Sequence, residues 1–404
     1  MAHVEDRWYK TVARPDGKSE RVKTSLHGKG LRYRVRYIAP DGRERSKSFP
    51  DREKRAAEAF LVSVESDKLR GTYIDPAAGK LTFRQYAEQW LAAQTFDEST
   101  REATERRLRR HIIPYLGGRA LAAILPTHLR ELDRALQQLG LAVTYRVVAY
   151  SNVATILNAA VDDGRIPRNP CHAKTVRPPK VPPRKVVPWS GEQVLAIRCG
   201  LPDRYRVAVD LGAGCGLRQG EVLALAVEDI DFLKGTLHVV RQLKIVGSRL
   251  VYALPKGRKT RDIPLPSSVG AALTHHLEDF PPVPVSLPWE VPGGPAVTVN
   301  LVVHGRTNVA MDRHTFNRDY WHTALSTAGI QHSRATGMHA LRHFYASVLL
   351  DTGESVKALS EYLGHADPGF TLRTYTHLMP TSEDRTRRAV DKVFAPSSDG
   401  LATA

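Results

Sequence analysis

Near the start of the chain the apolar residues fall at every second position. From Leu31 to Ile38, Tyr33, Val35 and Tyr37 alternate with Arg32, Arg34 and Arg36. That is the period of a strand with one face in a core and the other in water. Pro40-Asp41-Gly42 supplies a tight reversal, and residues 44–49 read as the returning strand. Asp51 is placed to cap a helix that runs to about Arg70 and carries Ala56, Ala57, Phe60, Leu61 and Val64 on its apolar face. After Leu81 the spacing lengthens to three and four: Thr82 caps a segment with Phe83, Tyr86, Ala87, Trp90 and Leu91 on one side. Further helices are predicted over 98–115, 127–139 and 143–163.

The clearest break lies at 177–188, where five prolines and four basic residues allow neither a helix nor a central strand. It reads as a basic linker. Beyond Ser190 the pattern predicts helices, then short strands at 236–240, 249–254 and 260–264, with Gly247-Ser248 in the first turn. Residues 281–295 read as a loop without function, and helices resume from Asp312. These elements give a multidomain, mainly α chain: a small N-terminal α+β domain (1–72), a helical domain (81–176), the linker (177–189), a mainly α domain with a small antiparallel sheet (190–395) and a flexible tail (396–404).

Charge narrows the class of partner. The chain of 404 residues carries 59 Lys and Arg against 42 Asp and Glu, a net charge of +17, which favours a polyanion over a small acidic substrate. The excess is local, since residues 21–50 hold nine basic and two acidic residues. A sheet presenting Arg32, Arg34 and Arg36 in a row fits a nucleic-acid groove, with a solvated face as the bland alternative. No apolar run is long enough to span a bilayer and no leader-like stretch opens the chain, so the expectation is no membrane partner and a cytoplasmic, nucleoid-associated protein. Cys171, Cys199 and Cys215 are scattered and form neither a disulfide framework nor a metal-ligand pattern.

Four stretches of the last domain carry chemistry. In Gly214-Cys215-Gly216-Leu217-Arg218-Gln219-Gly220-Glu221 the glycines permit close backbone approach, and Glu221 lies one helical turn after Arg218, where it can orient the guanidinium. Leu254-Pro255-Lys256-Gly257-Arg258-Lys259-Thr260-Arg261 is a basic turn whose lysine can reach into a cleft. In Met338-His339-Ala340-Leu341-Arg342-His343 the spacing sets His339 and Arg342 on one side of a helix, with Leu341, Phe344, Tyr345 and Val348 on the apolar side. Finally, Ser355 caps a helix ended by Gly364, His365 follows directly, and Pro368 opens a short helix bearing Tyr375.

Taken together, the order Arg, Lys, His-x-x-Arg, Leu-Gly-His, Tyr resembles the tyrosine recombinase (phage integrase) family. The resemblance is strongest over the last domain. By the same resemblance the helical domain is similar to a core-binding domain and the N-terminal sheet to an arm-type DNA-binding domain. It implies Arg218 and Arg342 as phosphate clamps, Lys256 as general acid, His339 and His365 as hydrogen-bonding or acid–base partners, Tyr375 as nucleophile and Glu221 as their support. In this lysine turn Gly257 replaces a frequent threonine, and Lys259 competes with Lys256.

The implied reaction is site-specific cutting and rejoining of DNA through a 3′-phosphotyrosyl bond, integrating or excising a mobile element. Bond energy kept in that intermediate calls for no cofactor and no metal. The implied partners are double-stranded DNA with core and arm-type sites, a homotetramer on DNA, and an accessory directionality factor. Residues 382–394 read as a charged helix with Val390, Val393 and Phe394 in an apolar strip, available to a neighbouring subunit. A type IB topoisomerase, a DNA-binding regulator without catalysis, and a metal-dependent nuclease using Asp229 and Asp231 are the competing readings.

Overall fold

The computed structural model describes residues 2–13, 19–40, 42–70, 73, 78–182, 186–375, 387, 390, 391 and 394. The chain divides into two compact units between Pro182 and Pro183, inside the proline-rich stretch.

The first unit opens with β1 (His3–Asp6), β2 (Tyr9–Ala13), β3 (Ser19–Lys23), β4 (Tyr33–Ile38) and β5 (Glu44–Phe49). An antiparallel sheet runs in the order β1-β4-β5, and β2 pairs with β3 as a separate hairpin. The alternation of β4 is realised. Tyr33, Val35 and Tyr37 are buried with Phe49 and with Ala57 and Val64 of α1 (Lys54–Leu69).

Arg32, Arg34 and Arg36 point away from that core, but they are not a bare cationic row. Arg32 pairs with Asp6 and Asp51, both at 2.9 Å, and Arg36 with Glu5 at 3.0 Å and Glu44 at 3.1 Å. Arg34 donates to Ser46 Oγ at 3.1 Å. The expected cap on α1 is corrected by the same contacts. Asp51 is engaged by Arg32, and α1 starts at Lys54 with Glu53 in the capping position making no side-chain cap.

A second core gathers α2 (Phe83–Ala93), α4 (Ile113–Leu116), α5 (Pro126–Gln138) and α6 (Val143–Asp162), while α3 (Glu98–Arg107) buries Thr104. Thr82 and Gln85 cap α2 reciprocally. A π turn at Leu108–Ile112 joins α3 to α4, so the single helix predicted over 98–115 is continuous but bulged.

The second unit begins with α7 (Gly191–Gly200), α8 (Asp203–Gly214) and α9 (Gln219–Val222). Then come β6 (Ile230–Asp231), β7 (Thr236–Val239), β8 (Gln242–Val246), β9 (Arg249–Ala253) and β10 (Arg261–Pro264). The order β10-β7-β6 makes one antiparallel sheet, and β8 and β9 form a hairpin. Gly247 and Ser248 at its tip both have positive φ, 53° and 67°, the backbone of the tight turn that matches strand twist. Strand β8 lies where the sequence pattern predicts no element.

After α10 (Ser267–Asp279), β11 (Val283–Pro288) pairs with β12 (Ala296–Leu301). This corrects the loop expected at 281–295. Its prolines suggested irregular backbone, yet they sit in a two-stranded ribbon, where an edge tolerates a missing donor. The alternation of Val283, Val285 and Leu287 places Val285 in the core with Val299. The unit continues with α11 (Arg313–Phe316), α12 (His322–Thr327), α13 (His339–Asp351), α14 (Val356–Leu363) and α15 (Pro368–Tyr375). The helix expected at 382–394 lies outside the described residues except for Arg387, Val390, Asp391 and Phe394, and so does the tail at 396–404. Among the described residues no helix is long and apolar enough to cross a membrane.

Candidate active site

The site is assembled from three helix ends and one strand start. Helix α8 stops at Cys215, and Gly216 turns the chain with φ +65°. A side chain there would place Cβ 2.4 Å from the Tyr345 ring, so glycine alone meets both the backbone and the packing demand. The turn delivers Arg218 to the start of α9, with its side chain 19% exposed and that of Glu221 fully enclosed.

Glu221 is the electrostatic anchor. Its Oε1 accepts from Arg218 Nη1 at 2.9 Å and Arg261 Nη1 at 3.0 Å. Its Oε2 accepts from the Arg218 amide at 2.9 Å and Arg261 Nη2 at 2.7 Å. Burial alone would raise its pKa, but the Arg261 hydrogen bonds and the charges of Arg261 and Arg218 outweigh that and hold it at about 2. Arg261 also donates from Nε to the Tyr362 carbonyl at 2.7 Å and lies against Gly364. One carboxylate thereby ties α9 and β10 to the end of α14.

Arg342 leaves the expected polar helix side and is completely buried in α13. The apolar side is corrected accordingly, with Leu341 and Tyr345 in the core and Val348 42% exposed. The guanidinium donates from Nη1 to the Gly216 carbonyl at 2.8 Å, and from Nη2 to the Leu363 carbonyl and to His365 Nε2, the latter at 3.1 Å. Its Nε is buried with no hydrogen-bond partner. Burial and the charge of Arg218 press its pKa down to about 9, still cationic at neutrality. Arg218 Nη2 reaches the same Leu363 carbonyl at 3.3 Å. Two guanidinium donors therefore converge on a single oxygen.

Gly364, in the left-handed conformation at φ +60°, ends α14 and turns His365 into the site. Because an arginine only donates, His365 Nε2 must be the accepting nitrogen and Nδ1 carries the proton. Nδ1 then donates to Thr371 Oγ1 at 2.7 Å. Thr371 shares a 2.8 Å bond with Ser360, whose hydroxyl also bonds the Val356 carbonyl at 2.7 Å. Burial, then Arg342 and Arg218, push His365 down to about 4, so the ring is neutral.

Tyr375 is 2% exposed at the end of α15. Burial raises its pKa, and the charges of Arg342 and Arg218 oppose that rise. Its hydroxyl meets His343 Nδ1 at 2.7 Å. His339 lies on the surface at the start of α13, with its ring 4.7 Å from that of His343, edge to face. Crowding of its ring against the protein, then the charges of His343, Arg342, Arg218 and Lys256, lower the pKa of His339 although the residue as a whole is exposed. Lys256 is thus within electrostatic reach of the site, from an exposed turn where Gly257 has φ +84°.

The structure therefore brings Arg218, Glu221, Arg342 and His365 into one hydrogen-bonded cluster, with Tyr375 under the charges of Arg342 and Arg218, and with Lys256 acting on His339 through its charge. Arg32, Arg34 and Arg36 belong to the other compact unit. Sequence reasoning missed Arg261, treated as part of a basic turn, although its period-two spacing from buried Ile263 signals an inward side chain. It also passed over His343, which is one helical turn after His339, and Thr371, one turn before Tyr375. Among the described residues no group of three metal-ligating side chains comes together.

Comparison with known proteins places these residues in a family context. The model of the phage integrase family matches residues 192–381, and that of the phage integrase N-terminal SAM-like domain matches residues 82–136. A tyrosine recombinase XerC-like protein of Caldanaerobacter subterraneus subsp. tengcongensis is 32% identical over 260 residues, 59% of this chain. The chain spans 64% of that relative's length. A putative prophage phiRv2 integrase of Mycobacterium tuberculosis is 28% identical over 361 residues, 86% of this chain and 88% of the relative. Among solved structures, the Tn1549 transposon integrase in complex with a circular intermediate DNA is similar with TM-score 0.63 and 19% identity, over 76% of this chain and 98% of that one. A lambda integrase tetramer bound to a Holliday junction is similar with TM-score 0.55 and 18% identity, over 86% and 92%. At those identities the structural likeness concerns the fold.

Proposed function

Since the chain belongs to the phage integrase family of tyrosine recombinases, we propose that it cuts and rejoins DNA at specific sites through a covalent bond between Tyr375 and a 3′ phosphate. The observation that carries this reading is the convergence of Arg218 and Arg342 on the Leu363 carbonyl oxygen beside His365, with Tyr375 under the charges of both arginines. A non-bridging phosphate oxygen seated beside that carbonyl meets charge-assisted donors from both guanidiniums. As the phosphorus becomes five-coordinate its equatorial oxygens gain charge, and fixed cations stabilise that charge more than the ground state.

The remaining residues follow from what a phosphodiester transfer needs. Tyr375 is a neutral phenol in its apolar niche and a weak nucleophile until it loses its proton. The departing O5′ needs a proton, which Lys256 supplies from its turn. His365 accepts from Arg342 in the free protein. When a phosphate engages Arg342, its negative charge offsets the cations that keep His365 neutral, and the ring gains a proton to donate to the phosphate. His339 binds from the start of α13. Glu221 and Arg261 fix the angle of Arg218 without touching DNA.

The helical region that matches the SAM-like model contacts the core site as well. The N-terminal sheet contacts arm-type sites through its basic residues, among which Arg34 is held by a neutral serine. A homotetramer on two DNA sites carries out the exchange, a reading supported by the likeness to a lambda integrase tetramer bound to a Holliday junction. An accessory factor sets its direction, and work on chromosomal DNA places the protein in the nucleoid.

The test is a nicked suicide substrate containing the cognate core site, incubated with the full chain. A covalent protein–DNA adduct is expected, abolished in Tyr375→Phe, and two-site substrates exchange strands. Absence of an adduct on the cognate site, or its retention in Tyr375→Phe, overturns the reading. Relaxation of supercoils without strand exchange would instead identify a topoisomerase.

A further inference from the structure

The hydrogen-bond partner of the Tyr375 hydroxyl is a residue to which the sequence motifs give no role. His343 Nδ1 lies 2.7 Å from Tyr375 Oη, and the two rings meet edge to face with centroids 5.6 Å apart. His339 contacts the other histidine, ring centroid to ring centroid at 4.7 Å. A proton leaving the phenol therefore meets His343 first. The helix dictates this order: positions 339 and 343 share one side of α13, and the later residue lies deeper along it.

We propose that His343 is the catalytic base that takes the Tyr375 proton during strand cleavage and returns it during rejoining. This rests on the reading of Tyr375 as nucleophile. In the forward step the Oη–phosphorus bond forms and the phosphorus–O5′ bond breaks. The phenolic proton passes to His343 Nδ1 while Lys256 protonates O5′. In rejoining a 5′ hydroxyl attacks, Lys256 recovers a proton, and the tyrosine leaves with the proton held by His343. Each strand transfer leaves both residues in their starting protonation states.

The surroundings suit a base that is switched on by substrate. The titratable and charged groups around the pair are His339 and Arg342 on α13, with Arg218 acting on Tyr375 from the start of α9. Burial and then Arg342 lower His343 to about 4, so the free ring is neutral and keeps a lone pair for the phenol. A phosphate seated on Arg342 cancels the cation that depresses His343, and the ring becomes more basic as the scissile bond arrives.

The test compares single-turnover cleavage of the suicide substrate by the full-length wild type, His343→Asn and His343→Ala across pH, with DNA binding measured alongside. The Asn amide oxygen can accept from Tyr375 near the Nδ1 position but takes up no proton, so it separates holding the phenol from deprotonating it. Both variants are expected to bind DNA normally and to cleave about 10²-fold more slowly at neutral pH. Their rates should rise with pH as tyrosine ionises, and added imidazole should recover part of the rate in His343→Ala. A substrate with a 5′-bridging sulfur, whose leaving group needs no proton, should rescue Lys256→Ala and leave His343→Asn slow. Wild-type cleavage rates in His343→Asn, or a loss equal at every pH and indifferent to imidazole, would overturn the proposal and leave His343 a positioning residue. Failure of the wild type to form any adduct would instead condemn the nucleophile assignment.

Discussion

Arg261 holds both carboxylate oxygens of Glu221, at 3.0 and 2.7 Å, while Arg218 takes only one of them with its side chain. The sequence motif couples Glu221 to Arg218, but the bidentate partner arrives from strand β10. The carboxylate is fully enclosed and serves two cations, so removing its charge strands both. Glu221→Gln is expected to lower the unfolding free energy by about 3–5 kcal/mol, the usual cost of breaking one side of a buried ion pair. Arg261→Ala should lose a similar amount while leaving Arg218, Arg342 and Tyr375 chemically intact. Urea unfolding of the full chain checks both, and a loss below about 1 kcal/mol in each would refute the anchor role.

The pairing shows what was legible in the chain and what was not. Residues tied to a local pattern were readable: Thr82, Ser355 and Gly364 cap helices as their positions predict, and Tyr33, Val35 and Tyr37 enter the core by alternation. Arg342 was readable as a site residue through its spacing from His339, but its complete burial was not, because the oxygens that accept from it belong to Gly216 and Leu363, far away in sequence. Strand β11 was hidden by its prolines, whose tolerance depends on a partner strand that sequence does not name. Arg32 and Arg36 read as a cationic row because their acidic partners Glu5 and Asp6 come from a strand about thirty residues earlier.

Lys256 and Lys259 share an exposed turn, and only position separates them. Lys256 contributes to lowering the pKa of His339, whose ring meets that of His343. Lys256→Ala should slow cleavage by about 10²–10⁴-fold, the range for loss of a general acid. Lys259→Ala should change the rate less than about tenfold. Gel assays of adduct formation at saturating protein would decide, and the reverse ranking would transfer the acid role to Lys259.

Thr371 fixes the tautomer of His365 by accepting from Nδ1 at 2.7 Å. Thr371→Val keeps the shape of the side chain and removes the acceptor, freeing the ring to turn and to place its proton on either nitrogen. Cleavage is expected to fall roughly tenfold to a hundredfold, as is common when the support of a catalytic group is lost, with DNA affinity unchanged. Thr371→Ser should stay close to wild type. Equal rates for Val and Thr would show that the Arg342 contact alone orients His365.

The acid limb of stability has a definite sign. His343 and His365 are both held near 4, below the ordinary histidine value of 6.5, chiefly by burial. Between those values the unfolded chain binds more protons than the folded one, so the stability they contribute is complete above about pH 6.5 and drains away as pH falls towards 4. Glu221 acts over a lower window. Its carboxylate, held at about 2 against a usual 4.5, contributes fully above pH 4.5 and is lost only as the pH drops through 2. The urea midpoint of the catalytic unit in the full chain should therefore decline between pH 7 and pH 5 while Glu221 is still ionised. His343→Asn should flatten part of that decline, since the unfolded chain then has one fewer proton to gain. A midpoint that is constant or higher at pH 5 would mean that these histidines are protonated in the folded protein, and it would remove the neutral imidazole on which the Tyr375 contact depends.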